Sequence, residues 1–155
     1  LGLSEQEAFE LGLANLRQTL PPLMNEAQPA PPGQIGQLVG DSFYPSRLLL
    51  PDTWAPLAKA QGGTLIVALP ATDAVFYIGE DSANAIWSLR MLVTRVMAQA
   101  PNRLSDQLLR WTAAGWQPIP PATTSTRVIA RACVNCHYQI HGSNAPAKRG
   151  QMFLR

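Results

Sequence analysis

The chain has 155 residues, of which 46% are hydrophobic and 14% charged, and its net charge is +2. That length suits one domain with room for an appendage, and that hydrophobic share can build a core, which excludes a disordered chain. No uninterrupted apolar run approaches the ~18 residues a membrane span needs, so no membrane span is expected; the dispersed bases without aromatic interleaving exclude a nucleic-acid surface.

The first predicted element is a helix. Ser4-Glu5-Gln6-Glu7 spells a capping box, Leu3, Ala8, Leu11, Leu13 and Leu16 are its apolar residues, and Pro21-Pro22 ends it. Pro29 to Gly33 is Pro-rich and reads as loop. Leu48 to Ala60 reads as a short turn and then a helix, with Pro51 near its start. Thr64 to Leu69 and Ala74 to Ile78 are predicted as the strands of a hairpin, joined by the four-residue turn Pro70-Ala71-Thr72-Asp73. The longest helix is predicted over Ala83 to Ala100. Ile86, Leu89, Val93, Val96 and Met97 form its stripe, Asp81-Ser82 its cap and Pro101 its stop. Leu104 to Trp111 reads as another short helix, and Trp116-Gln117-Pro118-Ile119 as an edge strand. Pro118 to Thr126 is a Pro/Thr-rich linker signal. The expected fold class is α+β: a small sheet with a β-hairpin packed by several helices over residues 1–119, a linker at 120–126, and a helical tail over 127–155.

Charge follows this division. Residues 1–120 hold all ten acids and seven bases, a net −3, whereas residues 121–155 hold five bases and no acid. A basic tail favours an acidic partner or pairs with acidic groups of a cofactor. Catalytic signatures are scarce: Gly62-Gly63 reads as a turn, and Asp73, Glu80 and Asp81 read as a solvated hairpin end and helix cap. Trp54, Trp87, Trp111 and Trp116 are expected in the core, one or two of them as a wall against a bound cofactor.

The tail carries the sharpest pattern, Cys133-Val134-Asn135-Cys136-His137, and its cysteines are the only two in the chain. Cys-x-x-Cys-His is the attachment signature of a c-type haem. Two thiols add across the vinyl groups, the adjacent imidazole binds iron, and one helical turn sets all three along one porphyrin edge. Other chemistries use related residues. A thiol–disulfide pair is expected at a helix start after a strand, a context weakly met by the residues before Cys133. A zinc site would use Cys133, Cys136, His141 and one further ligand, but the second Cys/His pair usual for structural zinc is absent. A Cys133–Cys136 disulfide would close a very small loop. His141 lies one helical turn after His137 on the same face, so it is a poor distal ligand for the same iron. It is a candidate ligand of a neighbouring haem, with a surface histidine as the alternative. Met152 is the candidate distal ligand; Met24, Met91 and Met97 are further candidates, although methionine at helical spacing usually fills a core.

Residues 127–155, from Arg131-Ala132-Cys133 through Ile140-His141-Gly142-Ser143-Asn144 to Met152-Phe153-Leu154-Arg155, resemble the last haem-binding repeat of the periplasmic decahaem c-type cytochromes of metal reduction and dimethyl-sulfoxide respiration. The other nine haem motifs are absent, so the resemblance implies a haem-binding terminal segment and not a many-haem wire. Residues Ser46 to Pro51, Gly63 to Pro70 with Asp73, and Leu104 to Trp116 look like an uncharacterised bacterial domain of unknown function, which implies an α+β fold; Thr72 stands where that pattern carries Arg.

These readings make the expected function electron transfer by a c-type cytochrome with one covalent haem c, held by Cys133 and Cys136 and ligated by His137. The expected partner is a redox protein, another cytochrome or a homo-oligomer with adjacent haems. Covalent haem attachment and a start at Leu1, with a signal peptide removed, lead to the periplasm or cell surface. A small-gas sensor with an open distal site, and a zinc-stabilised protein-interaction module without haem, are the alternatives. An enzyme is the least supported class, and a fragment of a longer multihaem chain is also compatible.

Overall fold

A computed structural model describes residues 2–122 of the chain. Contacts divide the chain into a unit spanning Leu1–Pro121 and a second spanning Ala122–Arg155. The described residues form an α+β domain with helices α1 (Glu5–Thr19), α2 (Ala55–Ala60) and α3 (Ala83–Gln99) and strands β1 (Gly36–Val39), β2 (Ile66–Ala71), β3 (Ala74–Ile78), β4 (Leu108–Thr112) and β5 (Gly115–Ile119). Short 3₁₀ turns lie at Leu23–Asn25, Pro45–Leu49 and Pro51–Trp54. The strands make one antiparallel sheet in the order β1-β3-β2-β4-β5.

The centre of the sheet is buried on both faces, which explains why β2 and β3 read as apolar runs rather than alternating strands. Ile66, Ala68, Phe76 and Ile78 face α3, which buries Ala85, Leu89 and Val93 against them. Leu65, Val67, Val75 and Tyr77 face the other way, onto Leu23, Trp54, Leu57 and Ala58. Full burial of Leu89 and Leu57 contributes about 1.5–3 kcal/mol each. At Gly36 the Tyr77 ring of β3 lies across β1 where a Cβ would overlap it, so only glycine lets that ring lie there.

Two expectations are corrected, and one strand was not expected. Leu104 to Trp111 is not a helix. Its apolar residues at 104, 108 and 111 fit a helical spacing, but β4 begins at Leu108 and pairs with β2. The Leu104 and Ser105 amides donate to the Pro70 and Leu69 carbonyls, which tie the segment down as an extended strap. The hairpin turn is tighter than expected: β2 runs through Pro70 to Ala71, Ala71 faces Ala74, and the chain reverses at Thr72-Asp73. The register shifts between Ala68 and Ala71, so Pro70 sits in an irregularity where its missing N–H costs no ladder bond. Finally, β1 forms although Gly36-Gln37-Leu38-Val39 carries too little apolar pattern to announce a strand; the exposed edge of β3 recruits it.

The two outer strands differ. Trp111 donates its amide to Leu65, so Leu109 and Trp111 turn their backbone groups toward β2, which leaves Trp116 and Pro118 of β5 facing outward. Proline thus removes a donor from that edge. Gly40 donates to Asp73, and this places the backbone groups of Gln37 and Val39 on the outer edge of β1, with no proline between them.

Candidate functional site

Cys133, Cys136, His137, His141 and Met152 lie outside the described residues. Within them, no group of three or more His, Cys, Asp or Glu side chains is arranged to hold a metal. The other methionines named as distal ligands have separate placements. Met97 packs against the α3 side of the core, whereas Met24 and Met91 are 40% and 45% exposed.

The acidic residues around the hairpin serve local structure. Glu80 accepts from the Gly33 amide at 2.6 Å and from the Ser82 hydroxyl at 3.1 Å. Asp81 forms a two-point pair with Arg110 at 2.6 and 2.7 Å. Ser82 caps α3 by accepting from the Ala85 amide at 3.2 Å. The Asp73 carbonyl accepts from Gly40. These contacts fix chain ends, and none brings two carboxylates together for acid–base work.

Three of the four tryptophans do a single job. The Trp54 indole donates to the Arg47 carbonyl at 2.9 Å, Trp116 to Leu48 at 2.8 Å and Trp111 to Pro51 at 2.7 Å. The Trp54 and Trp116 rings meet edge-on, 5.6 Å apart. Each indole therefore packs its ring against the core and ties down the Pro45–Trp54 segment by a bond to one of its carbonyls. Trp87 departs from the expected core position. It stands on the solvent side of α3 at 59% exposure, since its place in the helix falls outside the Ala85–Leu89–Val93 stripe.

The polar centre that sequence reasoning misses is Arg47, 2% exposed and the one buried charged residue among those described. Its guanidinium pairs with Glu26, and the Tyr44 hydroxyl approaches the same carboxylate at 3.5 Å. Arg47 Nε has no hydrogen-bond partner among the described residues. Burial raises the Tyr44 pKa, and the Glu26 and Asp41 charges raise it further. Burial also raises the Tyr77 pKa, and the Tyr77 hydroxyl donates to the Gln28 carbonyl at 2.7 Å. An open cleft of about 590 Å³ lies along Glu26, Gln28, Pro31, Gln34 and Tyr77. A cavity of about 200 Å³ lies between Arg17, Pro21, Leu23, Arg47 and Thr53. The charges here cancel, because Arg47 is met by Glu26 and Arg17 by Asp52. The cluster joins the Pro-rich loop to the core and holds no nucleophile with a base beside it. No hydropathy signal marks Arg47, since Glu26 is 21 residues away in sequence.

No family model, curated protein or solved structure matches the chain.

Proposed function

We propose that this chain is a c-type cytochrome in which one covalent haem, carried on the C-terminal segment, exchanges electrons with a redox partner. The observation that carries the reading is Cys133-Val134-Asn135-Cys136-His137, with no other cysteine in the chain. The donor set fits the group: two thiols for the vinyl carbons and an imidazole for iron. Cys133 and Cys136 hold the porphyrin and His137 is the proximal ligand. Met152 is the candidate distal ligand, and His141 the candidate ligand of a neighbouring haem. Bound there, the haem supplies one-electron chemistry at a potential set by its axial ligands and surroundings. Arg127, Arg131, Lys148, Arg149 and Arg155 surround the motif in sequence without an acid, which suits haem propionates or an acidic partner surface. The location that goes with this reading is the periplasm or cell surface, and the partner another cytochrome or a second copy.

Expression in cells competent for cytochrome maturation, followed by acid–acetone extraction and a pyridine haemochrome spectrum, tests it. A c-type reduced band that stays with the protein, and is lost in Cys133→Ala/Cys136→Ala, supports the proposal. Colourless protein overturns it, and bound zinc in that protein would identify the interaction module instead. A five-coordinate ferrous spectrum that shifts with carbon monoxide would replace electron transfer by gas binding.

A further inference from the structure

α1 covers none of the core. None of its residues is buried, and Phe9 and Leu11 are 57% and 52% exposed, as is Leu3 just before it at 59%. A 15-residue helix with Gly12 in its middle is marginal in water on propensity and capping alone, so its stability calls for a covered apolar stripe. Phe9, Leu13, Leu16 and Leu20 recur at spacings of four, three and four, the d-a-d-a seam of a heptad repeat. Leu13, Leu16 and Leu20 are half-buried, and Phe9 is open to solvent. The domain holds the second half of α1 through Arg17, which makes two bonds to Asp52 at 2.6 and 3.0 Å.

We propose that a second copy of this chain covers the seam, with two α1 helices paired antiparallel. Phe9 of each then lies over Leu20 of the other, and Leu13 over Leu16. Charge selects both the occupant and the direction. Glu10 and Arg17 occupy the e positions beside the seam and Glu5 a g position. An antiparallel pair sets e against e, so Glu10 meets Arg17 of the other copy at both ends. A parallel pair sets g against e and would bring Glu5 onto Glu10, two like charges. Arg17 has five N–H donors, of which two serve Asp52, so its guanidinium can also take Glu10. Two heptads make a small interface, which implies a reversible dimer that exchanges with monomer. This inference stands on the described domain and is independent of the haem.

Sedimentation equilibrium of the full chain, from micromolar to millimolar concentration, tests it. The expected result is a monomer–dimer equilibrium. Phe9→Glu, at an exposed position that cannot act through the core, raises the dissociation constant at least ~10-fold with unchanged thermal unfolding of the monomer. Glu10→Lys weakens the dimer several-fold, because it sets lysine against Arg17. A chain that stays monomeric at millimolar concentration overturns the proposal. So does a Phe9→Glu variant that dimerises like the parent, which would place the interface elsewhere. Tighter association of Glu10→Lys overturns the antiparallel arrangement, since a parallel pair would gain an attraction between Glu5 and the introduced lysine.

Discussion

α1 and α3 both start at a serine N-cap, Ser4 and Ser82, and both stop one residue before a proline, yet α3 buries Ala85, Leu89 and Val93 while α1 buries nothing. Each closes on an extended residue, Leu20 or Ala100, whose amide returns to the carbonyl four residues back. Local rules therefore set where both helices begin and end. What covers each stripe is a property of the rest of the molecule: α3 follows the hairpin and folds back onto its face, whereas α1 precedes every strand and is joined to the domain by a proline pair and one exposed ion pair.

The widest separation between the two helices is expected at their apolar residues. Leu89→Ala should cost about 2–5 kcal/mol in urea unfolding, because the cavity it leaves lies between helix and sheet. Phe9→Ala in dilute solution should stay within ~0.5 kcal/mol of the parent. Equal losses would mean that α1 belongs to the cooperative core. Cap removal comes next. Ser82→Ala should lower global stability by about 1 kcal/mol, while Ser4→Ala should unwind the first turn of α1, seen as lost amide protection, and leave the unfolding midpoint nearly unmoved. Removal of the ion pair is smaller again: Asp52→Asn should change stability by no more than ~1 kcal/mol and free the end of α1.

Acid gives the finest distinction. Glu7 is held below the usual carboxylate range, first by the Ser4 amide and then by the Ser4 hydroxyl, and Asp52 is held below it first by its bond to Arg17. A lowered folded pKa means that the stabilisation is present above the unfolded value of about 4 and is lost as pH falls through the folded value. At α3 the cap amide of Ala85 bonds the Ser82 hydroxyl, which itself donates to Glu80, and no carboxylate takes a backbone amide of the cap directly. Amide protection along α1, measured against the intrinsic rate at each pH, should therefore fall on acidification below about pH 4 while Leu89 and Val93 stay protected. Parallel loss in both helices would show that the acid response is global.

Much of this molecule could be read from its sequence wherever one segment carries its own signal. The capping box, the α3 stripe and the β2–β3 pair are such segments, and each stands within a few residues of its expected place. Features set by partners distant in sequence were not legible. β1 exists because β3 offers an edge, β4 is a strand because β2 pairs with it, and Arg47 is buried because Glu26 arrives from a loop. The haem residues belong to the opposite kind. Cys133, Cys136 and His137 are read entirely from spacing and lie outside the described residues, so chemistry there rests on the motif and on the spectrum that tests it.

The unequal edges of the sheet carry a consequence for solubility. Edge-to-edge stacking grows without limit only when each molecule offers two compatible edges. Here Pro118 blunts the β5 side, and Arg90 occupies the Ile119 and Pro120 carbonyls just beyond it. Gln37 and Val39 leave the β1 side able to accept a strand. Two molecules joined through β1 would present only blunted edges outward, so strand pairing of the folded domain terminates at a pair.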